Sequence, residues 1–214
     1  MTTSIAPSPL PSDRRSKRGE PTWEMARFYP TQGEWTEAEY LALETNHLTE
    51  FSDGLLEFLP MPTIFHQLIV DYLHNLLKAF VSAHAAGLVL FAPLPVRLWT
   101  GKYREPDILY LKPERIRDGL QYPEGADLVM EVVSGADKDR ERDLKDKRVE
   151  YAAAKIAEYW IVDPEEQRIT VLTLDGDTYR EHGVFRLGER ATSVLLPGFG
   201  VDVAAVFAAG KPSC

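Results

Sequence analysis

The chain predicts a mixed β-sheet flanked by helices, class α/β or α+β, and three observations carry that prediction. Short apolar runs rich in β-branched and aromatic residues recur at Arg104–Leu111, Asp127–Ser134 and Glu158–Asp163, each of strand length. Between them lie segments of helical periodicity, with Ile64, Leu68, Leu73, Leu76, Leu77 and Phe80 on one stripe. The resulting order is helix, hairpin, helix, several strands, helix, strand, hairpin, which suits neither a pure bundle nor a pure sandwich.

Each element has a local cause. Thr36-Glu37-Ala38-Glu39 fits a capping box opening a short helix to about Glu44. His47 to Leu59 reads as a hairpin about Ser52-Asp53-Gly54, and Pro60 and Pro62 stop it. Thr63 can cap the long helix, which Gly87 ends. Leu88 to Leu98 is expected to be extended, and the strand around Asp107 follows the Gly101 turn. Pro113, Gly119, Pro123 and Gly125 separate it from the Asp127–Ser134 strand. Asp137 to Lys155 is expected to be a charged helix, with Ser134 a candidate cap, and with its two neighbouring strands it would form a right-handed βαβ crossover. Arg168–Leu174 and Tyr179–Phe185 should pair about Asp175-Gly176. Val194 to Phe207 is expected to hold a strand, a Pro-Gly turn and a short helix.

At 214 residues, 44% of them hydrophobic and 27% charged, the chain suits one globular domain over residues 22–214. Met1 to Pro21, rich in Pro and Ser and then basic, is expected to be a disordered tail. It lacks the apolar core of a signal peptide, and no stretch reaches the ~20 apolar residues of a membrane span, so a cytoplasmic protein without membrane association is expected. Cys214 is the only cysteine, which excludes an intramolecular disulfide and a cysteine-built zinc site. A net charge of -9 argues against nonspecific coating of nucleic acid but leaves room for a small basic groove.

Asp107 and Glu131 are the informative pair, because a carboxylate beside a buried strand must be paired, protonated or bound to a metal. Carboxylates from two neighbouring strands are hard-oxygen ligands suited to Mg²⁺ in phosphate chemistry. The bland alternative is a solvated Asp107 after Pro106 and a Glu131 paired with Lys or Arg. On a helical wheel Leu144, Tyr151 and Lys155 fall within about 40° of one another. Lys147 flanks that face at about 60° from Leu144, Arg148 lies equally close, and Lys145 sits about 100° away. Geometry alone does not choose between Lys147 and Arg148, and an exposed face with an Asp143–Lys147 ion pair is the commoner use of such charges.

A set of motifs then occurs in order. It comprises Glu50-Phe51-Ser52-Asp53-Gly54-Leu55-Leu56-Glu57, His66, Pro106-Asp107 and Glu131-Val132-Val133-Ser134. Lys147 four residues before Tyr151 follows, then Glu158-Tyr159-Trp160-Ile161-Val162-Asp163-Pro164 and Leu196-Pro197-Gly198-Phe199-Gly200-Val201. Over about Thr36 to Phe207 this resembles the Uma family of putative restriction endonucleases, a branch of the PD-(D/E)XK nuclease superfamily. The resemblance implies a restriction-endonuclease-like core, Asp107 and Glu131 as catalytic metal ligands, and Mg²⁺, with Mn²⁺ as substitute. The superfamily pattern puts lysine two residues after the glutamate, where this chain has Val133; the family resemblance moves that role to Lys147 on the following helix. Glu57 and His66 match recurrent positions and are accessory candidates, while Arg104 and Arg148 are candidate phosphate contacts. DNA is the implied substrate and a homodimer the implied assembly. A nuclease fold kept as an inactive binding or protein-interaction module is the competing reading, favoured by Val133 and the acidic charge.

Overall fold

A computed structural model describes residues 29–44, 47–84, 87–117, 122–133, 140 and 142–211. The expected tail, Ser134 and the start of the helix at Asp137 lie outside the described residues. Thr36 caps α1 (Glu37–Leu41) with a complete capping box, its hydroxyl accepting from the Glu39 N–H at 3.2 Å and the Glu39 carboxylate accepting from the Thr36 N–H at 2.9 Å. That helix ends three residues before Glu44. Strands β1 (Thr49–Ser52) and β2 (Leu55–Phe58) form the expected hairpin. Its turn residues Asp53 and Gly54 have φ of 47° and 85°, the positive values a two-residue hairpin turn favours.

Helix α2 (Ile64–His84) buries Ile69, Leu73, Leu77 and Val81 against the main sheet. The run from Leu88 to Leu98 is two strands, β3 (Leu88–Phe91) and β4 (Val96–Trp99). Pro93 and Pro95 between them have no N–H to give a ladder. The Asp107 run also divides, into β5 (Lys102–Arg104) and β6 (Ile108–Leu111). Pro106 lacks a donor, and the Glu105 N–H turns to the Glu50 carboxylate at 3.2 Å. At this break the chain passes from one sheet to the other.

The small sheet is antiparallel, in the order β2-β1-β5-β4. The large one adds β7 (Leu128–Val132), β8 (Glu158–Asp163), β9 (Arg168–Asp175) and β10 (Thr178–Arg186), in the order β10-β9-β8-β7-β6-β3. Among the described strands of this sheet only β7 and β8 run parallel, and parallel neighbours require a crossover. Its described part is a π-helical turn, Arg142–Asp146, leading directly into α3 (Lys147–Ala153). The change of pitch, and the end of α3 at Ala153, set aside the wheel reading for Lys155. That residue lies past the helix at φ 60°, exposed, with its amine on Asp177.

Alternation along the strands makes two cores. Ile108, Tyr110, Leu128, Met130 and Val132 face α2 and α4 (Val203–Ala209), while Leu109, Leu111, Val129 and Val133 face Tyr151 of α3. Asp107 and Glu131 share the parity of the second set. Near the C-terminus β11 (Arg190–Thr192) pairs with β12 (Gly200–Asp202). The strand expected at Val194 does not form, because the Val194 and Leu195 N–H groups donate to buried Glu158 at 2.7 and 2.8 Å.

Candidate active site

The break between β5 and β6, the end of β7 and the first turn of α3 border one cleft of about 320 Å³. Glu105, Asp107, Glu131, Lys147, His66 and Arg142 line it, and Met61, Pro62 and Phe65 form an apolar lip. Asp107 is held from two sides. Its Oδ2 accepts from the Val132 N–H at 2.7 Å and lies 3.2 Å from His66 Nε2. Burial pushes the imidazole pKa down, but the hydrogen bond and charge of Asp107, with the charge of Glu131, raise it overall.

Glu131 is buried, as expected of a strand interior, and Oε1 takes two donors. The Tyr151 hydroxyl stands at 2.5 Å and Lys147 Nζ at 2.9 Å. Burial first, then the charges of Glu131 and Glu50, keep the Tyr151 phenol protonated far above its ordinary range. Lys147 is 2% exposed, so the helix lysine does not belong to a solvated face. Lys145 and Arg148 are exposed, and Arg148 Nη2 donates to the Tyr179 carbonyl at 3.1 Å, away from the cleft lining.

Arg104 needs a correction. It is 5% exposed and bound by carboxylates, to Glu150 at 2.6 and 2.9 Å, to Glu57 at 3.2 Å, and to Glu50. A guanidinium so enclosed organises protein carboxylates and has no surface to offer a phosphate. Glu57 is likewise outside the cleft lining, where it joins Arg104 to Arg142 at 3.0 Å.

Four participants, Glu50, Glu105, Tyr151 and the cleft-lining Arg142, escaped the sequence analysis as site residues. Glu50, 1% exposed on β1, lies 3.6 Å from Lys147 Nζ and also binds Arg104. Burial would raise its pKa, but Lys147, Arg104, Arg142 and the Glu105 N–H outweigh burial and hold it at about 2. Glu105 is pushed up to about 7 by burial and by the charge of Glu50, against the Thr49 N–H and Lys147. Its Oε2 is buried without a hydrogen-bond partner. Tyr151 was visible as an apolar-face residue and as the spacing partner of Lys147, not as a group that binds Glu131. For Glu50 the signal was available, since a Glu inside a short hairpin strand poses the same question as Glu131.

The donor set suits a hard divalent cation, with two carboxylates from neighbouring strands on one sheet face and a third carboxylate oxygen unsatisfied. Among the described residues no group of three or more His, Cys, Asp or Glu side chains is arranged to hold a metal ion. An ion held by Asp107 and Glu131 would therefore complete its shell with water and substrate oxygens, as Mg²⁺ commonly does. Among the described residues no helix is long and apolar enough to cross a membrane.

The fold is similar to the crystal structure of a putative nuclease belonging to DUF820 from Anabaena variabilis, with a TM-score of 0.67 and 18% identity over 83% of this chain and 99% of that one. The class is thus mixed α/β with a restriction-endonuclease-like core. No curated protein matches the chain. Residues 37–204, which carry every cleft residue named above, match the model of the Uma2 family, described as "Putative restriction endonuclease". The chain belongs to the Uma2 family of restriction-endonuclease-like proteins.

Proposed function

We propose that the protein is a Mg²⁺-dependent DNA endonuclease that hydrolyses phosphodiester bonds in the cleft between β5–β6, β7 and α3. The observation that supports this most is the grouping of Asp107, Glu131 and Lys147 around one cleft, with Lys147 Nζ 2.9 Å from Glu131. Asp107 and Glu131 would hold the cation, which when bound supplies Lewis-acid charge and favours ionisation of water. The chain's own groups do the rest. Val132 N–H and His66 orient Asp107, and the Tyr151 hydroxyl orients Glu131. Lys147 places a positive charge where negative charge grows on the phosphoryl oxygens. The apolar lip at Met61, Pro62 and Phe65 limits water at the cleft mouth.

Plasmid nicking tests this reading. Wild-type protein with Mg²⁺ or Mn²⁺ should convert supercoiled DNA to open circles, and EDTA should stop it. Glu131→Gln should abolish nicking while DNA binding persists, because a neutral amide is a poorer ligand for a hard cation. A homodimer would bring two clefts to the two strands, and linear product would report it. Binding without metal-dependent cleavage would favour the inactive module, a reading that Val133 at the usual lysine position also supports.

A further inference from the structure

Lys147 is a buried ammonium that reaches its cleft from a helix rather than from the strand bearing Glu131. A lysine side chain has four rotatable bonds, so a helix position alone does not fix the amine. Two carboxylates flank it, Glu131 Oε1 at 2.9 Å and Glu50 Oε1 at 3.6 Å. They come from different sheets, Glu131 from β7 of the large one and Glu50 from β1 of the small one.

Glu50 is itself immobilised. Oε2 binds the Arg104 guanidinium, and Oε1 accepts the Glu105 N–H at 3.2 Å. Arg104 in turn is clamped by Glu150 at 2.6 and 2.9 Å. Glu150 is one turn from Lys147 at i+3 on the same helix, so the network returns to the helix that carries the lysine. The carboxylate therefore stands on a rigid frame, whereas a solvated counter-charge would not. Glu50 is also 1% exposed and absent from the residues lining the cleft, so it contacts the amine without facing the cleft.

We propose that Glu50 is a positioning residue, a buried anchor in the small sheet that holds the Lys147 ammonium against Glu131 and so makes a helix lysine serve the cleft. The inference rests on the nuclease reading for its consequence in turnover, but not for the placement of the amine. Glu131 and Glu50 attract the amine from two different sheets, so both contacts together define its position. Glu50 also gives the ammonium a second counter-charge when a cation engages Glu131, which avoids a buried, unpaired charge.

Crystal structures of Glu50→Gln and wild type, each without metal, decide the placement. In Glu50→Gln the Lys147 amine should leave its wild-type position or occupy several. Plasmid cleavage with Mn²⁺ should then lose kcat by roughly 100-fold, the scale of a misplaced catalytic group, while KM for DNA stays close to wild type. Glu150→Gln, which loosens the Arg104 clamp but keeps the Glu50 carboxylate, should displace the amine less than Glu50→Gln does. An amine unmoved in Glu50→Gln overturns the proposal, as does a loss confined to KM. If Glu50→Gln does not fold, Glu50→Asp carries the test: the ammonium should follow the withdrawn carboxylate and lengthen its contact with Glu131, and an unmoved amine again overturns the proposal. If wild type cleaves nothing, the nuclease reading fails while the crystallographic comparison still decides the role of Glu50.

Discussion

Replacing Lys147 with Met keeps an unbranched apolar side chain out to the Cε position and removes the ammonium. Removing one partner of a buried ion pair ordinarily costs about 3–5 kcal/mol, because the other charge is left without compensation. Here the loss is cushioned, since Glu131 keeps the Tyr151 hydroxyl and Glu50 keeps Arg104. A cost of about 2 kcal/mol follows, which lowers Tm by roughly 4–8 °C for a domain of this size. The informative part is the response to metal. Ammonium and cation compete for Glu131, whose Oε1 Lys147 holds at 2.9 Å, so Lys147→Met should bind Mn²⁺ more tightly than wild type. Each tenfold gain in affinity adds about 1.4 kcal/mol of stability at saturating ion. Thermal unfolding of both proteins in EDTA and across a Mn²⁺ series measures this directly. Lys147→Met should start lower, rise further with metal and cleave nothing. A metal-induced rise no larger than that of wild type would refute the idea that the ammonium occupies the cation's place.

Two further expectations concern the frame around the cleft. Glu50 is held at about 2 against an ordinary 4.5, so its stabilisation is full above pH 4.5 and is lost as pH falls toward 2. Urea unfolding between pH 5 and 2 should therefore show a shallower acid-side loss in Glu50→Gln, and parallel curves would count against it. At Gly54, φ is 85° and an added Cβ would meet the Gly33 carbonyl oxygen at 2.6 Å. Gly54→Ala should cost at least about 1–2 kcal/mol in thermal melts, and a variant as stable as wild type would show that the β1–β2 turn bears no such constraint.

The elements most legible in the sequence were those whose cause is local. The capping box at Thr36, the Asp53-Gly54 hairpin and the β9–β10 pair needed only neighbouring residues to specify them. Glu131 was legible because a charge in an apolar strand demands a partner, although the strand did not say which. The division of the Asp107 run between two sheets was less visible, since it depends on Glu50 accepting the Glu105 N–H across the fold. Arg104 was misread for a related reason: composition presents an arginine as available, and only the tertiary arrangement of Glu50, Glu57 and Glu150 encloses it. The wheel for the charged helix assumed one pitch throughout, and the π-helical turn at Arg142–Asp146 broke that assumption. Lys155 was displaced as a result, while Lys147 opens the α-helical part with its amine buried.

The passage of the chain from small sheet to large sheet at Glu105-Pro106 has a consequence for the order of events during synthesis. The β1–β2 hairpin emerges from the ribosome early, carrying Glu50, but its partners arrive late, with Arg104 54 positions on and the Glu57 contact with Arg142 spanning 85. Contacts so distant along the chain close slowly, after local pairing is complete. The carboxylates of the cleft therefore exist for some time as separate, hydrated groups on unfinished pieces. Lys147 joins these groups only when α3 docks, so the cleft is among the last parts of the fold whose contacts the chain order allows to close.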